Sequence, residues 1–274
     1  MKILLIGDYH AKLPSKLKKI AKQCDLIISV GDYGGDEELS KVMFEAFETD
    51  IHEKYGKKKI AGLIKKDYKR GNKILNELNE LGVKTYTVMG NWDFDSKKAL
   101  KDYGLELKTY SNIIRKLKNI VNIEKKKTSY KGLKIAGYGG FVTPNLFTKR
   151  RSGLTSKQRR TAKKHYKQEK KDLKKHYHND LDIFVTHWPP YKVFDEVKDK
   201  KSPMYGKNIG FKPYNKYIRK NKPKLLVCGH MHEHQGVQKI GKTQVVTVGP
   251  AFEGKCAVAE YKDGEFKISF NPSK

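Results

Sequence analysis

Short apolar runs alternate with longer polar segments along this chain. Five of the runs end just before a residue type that commonly binds metal ions, and they cover residues 3–6, 26–30, 85–89, 183–186 and 225–228. Runs of this length and composition are typical of strands that are buried on both faces of a sheet. The pattern predicts an α/β fold whose chemistry lies just beyond the ends of its strands.

Helical periodicity fills several of the segments between these runs. Residues 12–23 place Leu13, Leu17 and Ile20 on one face, which predicts a helix between the first two strands. Residues 36–82 are long for a simple crossover, and we predict two helices there with a break near Gly56. A further short helix is predicted over residues 95–104.

The remaining apolar runs predict further strands. Residues 120–123 and 133–136 are predicted to pair with each other across a polar turn. Residues 243–248, 255–261 and 266–270 predict three more strands near the end of the sequence, with a tight turn between the last two.

Five short motifs lie just after the five apolar runs. They are Asp8-Tyr9-His10, Gly31-Asp32, Gly90-Asn91-Trp92-Asp93, His187 and Gly229-His230-Met231-His232. Each motif alone has an ordinary explanation, because an Asp after a strand is usually a turn or cap residue and a lone His is usually not a ligand. The ordered set is far more specific than its parts, and it predicts one metal centre.

The order of the motifs resembles that of the calcineurin-like metallophosphoesterase superfamily, which is D-x-H, GD, GN-x-D, H and GH-x-H. The similarity extends from residue 1 to about residue 250. Residues 185–190 and 208–232 also resemble a subgroup that includes small bacterial and archaeal phosphodiesterases. The resemblance implies a four-layer α/β/β/α sandwich of two facing mixed sheets, with all five motifs on loops at one edge.

The resemblance also implies how the ligands divide between two divalent metal ions. Asp8, His10 and His232 would bind the first ion, Asp32 would bridge both, and Asn91, His187 and His230 would bind the second. Carboxylates and imidazoles suit Mn, Fe, Zn or Ni, of which we expect Mn first, whereas an oxygen-only shell would suit Mg or Ca. Two ions about 3.5–4 Å apart can hold a bridging hydroxide for in-line attack on a phosphate ester.

Trp92 departs from the family pattern. Most members have a His there that protonates the leaving group or stabilises the transition state, and tryptophan cannot supply a proton. Because the alkoxide leaving group of a monoester needs acid help most, we expect a phosphodiesterase rather than a monoesterase.

The side chains expected to take part in catalysis are Asn91, Asp93, His187 and His234. Asp93 would lack the His that it usually orients. His234 lies two residues beyond the last ligand and could replace the missing acid, although an ordinary polar loop residue is the simpler interpretation.

Composition indicates one soluble intracellular domain over residues 1–274. A chain of 274 residues can bury a sizeable core, and its hydrophobic content of 37% excludes an integral membrane protein. The first apolar run is too short for a signal peptide. Three cysteines, an odd number without framework spacing, favour reduced thiols and a cytoplasmic location.

The formal net charge of +29 is concentrated in one segment. Lys149 to His178 contains thirteen Lys and Arg residues and only two acidic ones. We predict a basic helical insertion at about residues 145–180, with capping-box spacing between Thr155 and Gln158. One face of this helix carries Ala162, Tyr166, Leu173 and Tyr177.

Three interpretations of this helix remain open. It is a solvated surface helix, a basic lid that holds a polyanionic substrate, or a nucleic-acid-binding element that uses phosphate contacts and base stacking. Three function classes follow for the whole chain, namely a dinuclear metal-dependent phosphodiesterase, a nuclease or other nucleic-acid-processing phosphoesterase, and a catalytically weak scaffold or binding protein with the same fold.

Overall fold

A computed structural model describes residues 1–45, 51–140, 156–176, 178–200, 202 and 204–271. Residues 145–155 of the predicted insertion, including Thr155, lie outside these ranges, and so does Tyr177. No helix within the described part of the chain has a long enough apolar stretch to cross a bilayer.

The first of two six-stranded sheets contains both ends of the described chain. Its strands are β1 (Lys2–Ile6), β2 (Leu26–Ser29), β3 (Thr85–Thr87), β4 (Ile120–Asn122), β11 (Ala257–Lys262) and β12 (Glu265–Phe270). Their order is β12-β11-β1-β2-β3-β4. The strands β1 to β4 are parallel to one another. On the other side of β1, β11 pairs with it in the antiparallel direction, and β12 pairs antiparallel with β11 at the edge.

The second sheet has the order β5-β6-β7-β8-β10-β9. Its strands are β5 (Lys126–Tyr130), β6 (Leu133–Gly137), β7 (Ile183–Val185), β8 (Leu225–Cys228), β9 (Gly236–Ile240) and β10 (Thr243–Thr247). The four inner strands are parallel and the two edge strands are antiparallel to them.

The core lies between the two sheets and continues under the helices. Successive side chains of a strand point to opposite faces. In β1, Ile3 and Leu5 therefore pack against residues of the second sheet, whereas Leu4 and Ile6 pack under helices. Both faces of the central strands are buried, which explains their continuous apolar runs.

Helices cover the outer faces of both sheets. They are α1 (Ser15–Ala21), α2 (Glu37–Glu45), α3 (Ile51–Tyr55), α4 (Lys57–Glu80), α5 (Lys97–Asp102), α6 (Tyr110–Ile114), α7 (Ser156–Lys175) and α8 (Lys212–Asn221). Residues of α1, α4 and α6 pack on the first sheet, and residues of α7 and α8 pack on the second. The four-layer α/β/β/α sandwich implied by the resemblance is therefore confirmed.

The predicted pairing of residues 120–123 with residues 133–136 is wrong. Ile120–Asn122 forms β4 beside β3 in the first sheet, whereas Leu133–Gly137 forms β6 in the second. The partner of β6 across the tight turn is β5, a largely polar and exposed edge strand that the sequence pattern did not reveal. The chain thus crosses between the sheets at residues 123–125.

The predicted helices are confirmed. The break near Gly56 is present, where a φ of 76° ends the preceding helix. Before this break the described residues are helical over Glu37–Glu45 and Ile51–Tyr55, and after it over Lys57–Glu80. The basic segment is helical over Ser156–Lys175, as predicted.

Candidate metal centre

The seven predicted ligands converge at one edge of the sandwich. In a parallel sheet the carboxyl ends of the strands lie along the same edge, and each motif follows such an end. The first sheet contributes the motifs after β1, β2 and β3, and the second contributes those after β7 and β8. Two sheets that face each other thus bring both sets of side chains to a common centre.

Asp8, His10 and His232 form the first group of side chains. One ligand atom from each lies within 4.8 Å of the others. The Nε2 atoms of His10 and His232 are 3.1 Å apart, and the His232 Nε2 atom is 3.9 Å from an oxygen of Asp8.

Asp32, His187 and His230 form the second group, with the same 4.8 Å limit. The His187 Nε2 atom lies 3.4 Å from Asp32 Oδ2 and 2.9 Å from Asn91 Oδ1. The two groups adjoin each other, because the His10 Nε2 atom is 3.8 Å from the same Asp32 oxygen. All seven predicted ligands are therefore brought together, with Asp32 between the two sets of imidazoles.

Backbone carbonyls determine which ring nitrogens face the centre. The His187 Nδ1 atom is 2.8 Å from the Val30 carbonyl oxygen, and the His10 Nδ1 atom is 2.6 Å from that of Gly35. A carbonyl only accepts, so both Nδ1 atoms donate, which leaves both Nε2 atoms to offer their lone pairs to a cation. His187 Nε2 then faces the Asn91 oxygen as acceptor to acceptor, an arrangement that a shared cation would stabilise. The donor set therefore fits a metal ion.

Burial makes the same centre unfavourable for isolated charges. Asp8, Asp32 and His187 are at most 1% exposed. Burial raises the pKa of Asp8 to about 7 and holds that of Asp32 well above its usual range. It also lowers the pKa of His10 to about 4, which keeps this imidazole in the neutral, metal-binding form. Carboxylates in such a dry place are stabilised by a cation.

Four ligand residues have a left-handed backbone. The φ angles of Asp8, His10, Asp32 and His230 lie between 43° and 69°. A non-glycine residue there costs about 1–3 kcal/mol in strained cases and persists only where its surroundings fix it. Such strain is concentrated at functional sites.

Two glycines make room for the carboxylates. A Cβ atom at Gly90 would lie 2.1 Å from Asp32 Oδ1, and one at Gly229 would lie 2.4 Å from Asp8 Oδ2. Both positions therefore need glycine, because each backbone approaches a ligand too closely for any side chain. This gives a physical reason for the glycine in the GN and GH motifs.

Asp93 holds two of the motif loops together. Its carboxylate accepts hydrogen bonds from the amides of Gly90 at 2.7 Å, Tyr33 at 2.7 Å and Asp32 at 2.9 Å. The Asp93 carboxylate therefore binds three backbone amides here. The pattern that the sequence resembles has a His for this carboxylate to orient.

His234 lies apart from the two groups of ligands. It is half-buried, and its Nε2 atom is 2.8 Å from the carbonyl oxygen of Glu196. This contact turns one ring nitrogen toward a neighbouring loop rather than toward the ligands.

Sequence reasoning missed Asp67, which supports the centre from α4. This buried carboxylate accepts hydrogen bonds from the amides of Gly35 and Asp36, each at 2.8 Å. It thereby fixes the loop whose carbonyl orients His10. An acidic residue in the apolar stripe of an amphipathic helix was the available signal.

Aromatic rings surround the imidazoles and were also missed. The Trp188 ring lies 3.7 Å from the His230 ring, with an angle of 31° between the planes. The half-buried Phe252 ring meets both His10 and His232 edge to face, at 5.4 Å from each. These contacts restrict the rotation of three ligand side chains.

Comparisons with known proteins agree with this geometry. A family model described as "Metallophosphoesterase, calcineurin superfamily" matches residues 1–270. The chain is 26% identical over 256 residues to "Uncharacterized protein MJ1162" of Methanocaldococcus jannaschii, covering 91% of this chain and 88% of that protein.

Solved structures share the fold at low sequence identity. The protein TT1561 of Thermus thermophilus gives a TM-score of 0.54 at 17% identity, covering 98% of this chain and 97% of its own. The phosphopantetheinyl hydrolase PptH of Mycobacterium tuberculosis gives 0.52 at 13% identity, covering 91% and 90%. At these identities the likeness concerns the fold alone.

Proposed function

This chain belongs to the calcineurin superfamily of metallophosphoesterases, and we propose that it hydrolyses phosphodiesters with the help of two divalent metal ions. The observation that carries the proposal is the pair of adjoining ligand groups, Asp8, His10 and His232 beside Asp32, His187 and His230. Their imidazole nitrogens and carboxylate oxygens suit Mn, Fe, Zn or Ni, and of these we propose Mn.

The seven candidate ligands would divide between the two ions. The first ion would be held by Asp8, His10 and His232, the second by Asn91, His187 and His230, and Asp32 would touch both. Such ions, when bound, supply charge stabilisation and an activated water for attack on phosphorus. The carbonyls of Val30 and Gly35 keep two Nε2 lone pairs directed at the centre.

Trp92 supports the preference for diesters. Its ring is 6.3 Å from the His10 ring, at the place where the family usually carries a proton donor. The indole cannot transfer a proton, and His234 is turned toward Glu196. Diesters with acidic leaving groups need general acid help least. A nucleic acid is a polymer of diesters, so the nuclease interpretation is a special case of this proposal.

The test is turnover of bis(4-nitrophenyl) phosphate, whose leaving group needs little acid help, beside an alkyl phosphate monoester, whose alkoxide leaving group needs it most, after metal removal and reconstitution with Mn. We expect kcat/KM for the diester to exceed that for the monoester by at least about tenfold, because the missing acid costs roughly 100-fold or more where it is needed. Comparable turnover of both esters would contradict the diester preference.

Asp32→Ala is the matched control for this assay. Loss of residues that only support ligands costs about 10–100-fold, so loss of a ligand should cost at least about 100-fold in kcat/KM. Metal content measured on the same sample should fall as well. Turnover with full metal content in Asp32→Ala would overturn the assignment of the site.

A further inference from the structure

The outer face of α7 is a strongly basic surface that the metal centre does not explain. The inner face of this helix packs on the second sheet, with Ala162 and Leu173 at most 2% exposed. Tyr166 also points inward, where its ring meets that of Phe211 at 5.3 Å. The predicted apolar positions within the described residues, Ala162, Tyr166 and Leu173, are therefore used for packing.

The two acidic side chains of α7 also have hydrogen-bond or ion-pair partners. Glu169 accepts a hydrogen bond from the Tyr138 hydroxyl at 2.7 Å. Asp172 lies 3.9 Å from the ammonium of Lys125 on the neighbouring sheet edge and 3.4 Å from that of Lys175. Neither carboxylate neutralises the middle of the outer face.

The outer face of α7 carries a row of positively charged side chains. Nine of the ten Lys and Arg residues of the helix are exposed, namely Lys157, Arg160, Lys163, Lys164, Lys167, Lys170, Lys171, Lys174 and Lys175. Like charges three or four residues apart destabilise a helix by a few tenths of a kcal/mol per pair. The packed inner face keeps the helix folded despite this repulsion, and the outer face presents a positive field to solvent.

The size of this surface suits an extended polyanion. Twenty residues of α-helix are about 30 Å long. One nucleic-acid strand carries a phosphate about every 3.4 Å, so the face spans on the order of eight phosphates. The adjoining edge strand β5 adds the exposed Lys127.

The surface also lies close to the ligand-bearing loops. Phe211, on which Tyr166 packs, donates its amide to the carbonyl of Pro189, two residues after the ligand His187. Tyr138, which binds Glu169, directly follows the end of β6. The middle of α7 therefore covers the same edge of the second sheet that carries the candidate metal ligands.

We propose that the outer face of α7 is a docking surface for nucleic acid, which it binds through the phosphate backbone. No Phe, Tyr or Trp ring of the described part of this helix is exposed for stacking on bases, so binding should depend little on base sequence. A membrane-binding helix would need an outward apolar face. The large exposed hydrophobic residues of the described chain are Phe44, Tyr205 and Val237, and none lies on α7.

The experiment is fluorescence anisotropy with a labelled single-stranded DNA of mixed sequence, about 24 nucleotides long, in EDTA. Because metal ions are absent, binding is measured separately from hydrolysis. The test variant carries Lys163→Glu, Lys167→Glu and Lys170→Glu, which form one stripe of the outer face. The control carries Lys58→Glu, Lys65→Glu and Lys69→Glu, which are exposed on one stripe of α4 and change the net charge equally.

We expect the α7 variant to raise Kd at 50 mM KCl by at least about tenfold and the α4 control by much less. The slope of log K against log salt should become shallower by about 2 in the α7 variant, which corresponds to three lost phosphate contacts on a single strand. Equal weakening by both variants would show that net charge alone attracts DNA, and it would overturn the proposal.

Two further measurements distinguish lost attraction from added repulsion, and DNA binding from membrane binding. A triple Lys→Gln variant at the same α7 positions should weaken binding in the same direction without introducing repulsion. Tighter binding of wild type to vesicles containing 30% phosphatidylserine than to DNA would assign the surface to membranes instead. Unchanged turnover of bis(4-nitrophenyl) phosphate by the α7 variant is expected, so failure of docking and failure of the phosphodiesterase proposal are distinguishable.

Discussion

Trp92 occupies a tightly bounded place at the edge of the metal centre. A Cβ atom added to Gly35 would lie 2.5 Å from the indole ring, so the ring rests directly on the loop that orients His10. The outer part of the same ring packs near the cluster formed by α2 and α4. The residue therefore joins the candidate site to the helices beside it.

Trp92→His should add monoesterase activity, because an imidazole at this position can donate a proton to an alkoxide leaving group. General acid catalysis contributes about 100-fold or more, and we expect a gain of at least tenfold in kcat/KM for a phosphate monoester. The measurement is steady-state hydrolysis of an alkyl phosphate by the Mn-reconstituted enzyme. Trp92→Phe keeps an aromatic ring without a proton and should show no gain; an equal gain in both variants would contradict the explanation.

The side chains of the candidate centre were predictable from the sequence, whereas their supports were not. Asp8 and His187 belong to residue types that commonly bind metal ions. Their positions after apolar runs predict that they lie at one edge of the sheets. The carbonyls of Val30 and Gly35 carry no such signal, since every residue has a carbonyl. The ligand side chains could therefore be predicted from the sequence, whereas the backbone groups that orient them could not.

Among the elements, the crossing between β4 and β5 links the two sheets next to the site. Glu124 lies at this crossing, and its carboxylate accepts a hydrogen bond from the amide of Gly139 at 2.8 Å. The carbonyl of Gly139 in turn accepts from the amide of His187. Burial raises the pKa of Glu124 to about 7.

Glu124→Gln should stabilise the protein at alkaline pH and not at acid pH. The folded-state pKa of about 7 exceeds the unfolded value of 4.5, so the folded protein holds this proton more tightly and loses stability as pH rises from 4.5 through 7. Glutamine keeps the acceptor and carries no charge. We expect the variant to gain about 1 kcal/mol at pH 8, or about 2–4 °C in Tm, and almost nothing at pH 4.5.

Thermal unfolding at both pH values checks this prediction. Glu265→Gln removes the same charge from an exposed position on β12 and serves as the control. A Tm difference for Glu124→Gln that stays constant from pH 4.5 to pH 8 would contradict the role of its ionisation.

The buried strands were predicted well, whereas two of the four edge strands of the described sheets, β5 and β9, were missed. The central strands appear as apolar runs because both of their faces are covered. The edge strands β5 and β9 are polar and largely exposed, and their sequences resemble loops. The absence of β5 from the prediction also caused the wrong pairing of residues 120–123, because the apolar run of β6 was left without its true neighbour.

For the molecule as a whole, each candidate metal group takes ligands from both sheets. Asp8 and His10 follow a strand of the first sheet and His232 follows one of the second, and the other group is divided in the same way. A metal ion at either position would therefore join the two halves of the sandwich. Binding to the folded state alone should then raise the stability of the whole domain.

Mn added at about 100 times its Kd should stabilise the metal-free protein by about 2.7 kcal/mol, which corresponds to a rise of roughly 5 °C in Tm. Mg at the same concentration should give a smaller shift, because imidazole ligands suit it poorly. Differential scanning fluorimetry measures both. Asp32→Ala should abolish the Mn shift, and equal shifts for Mn and Mg would contradict the proposed ligand set.

The position of β1 inside the first sheet has a consequence for how the protein is made. Lys2 pairs with Glu260 on β11. One side of the first strand therefore stays unpaired until residues more than 250 positions later have been synthesised. At about 5–20 residues per second, a ribosome takes on the order of 13–50 s to supply them. Throughout that time an apolar strand edge is open to neighbouring nascent chains. We therefore expect the first strand to need protection from other chains until β11 has left the ribosome.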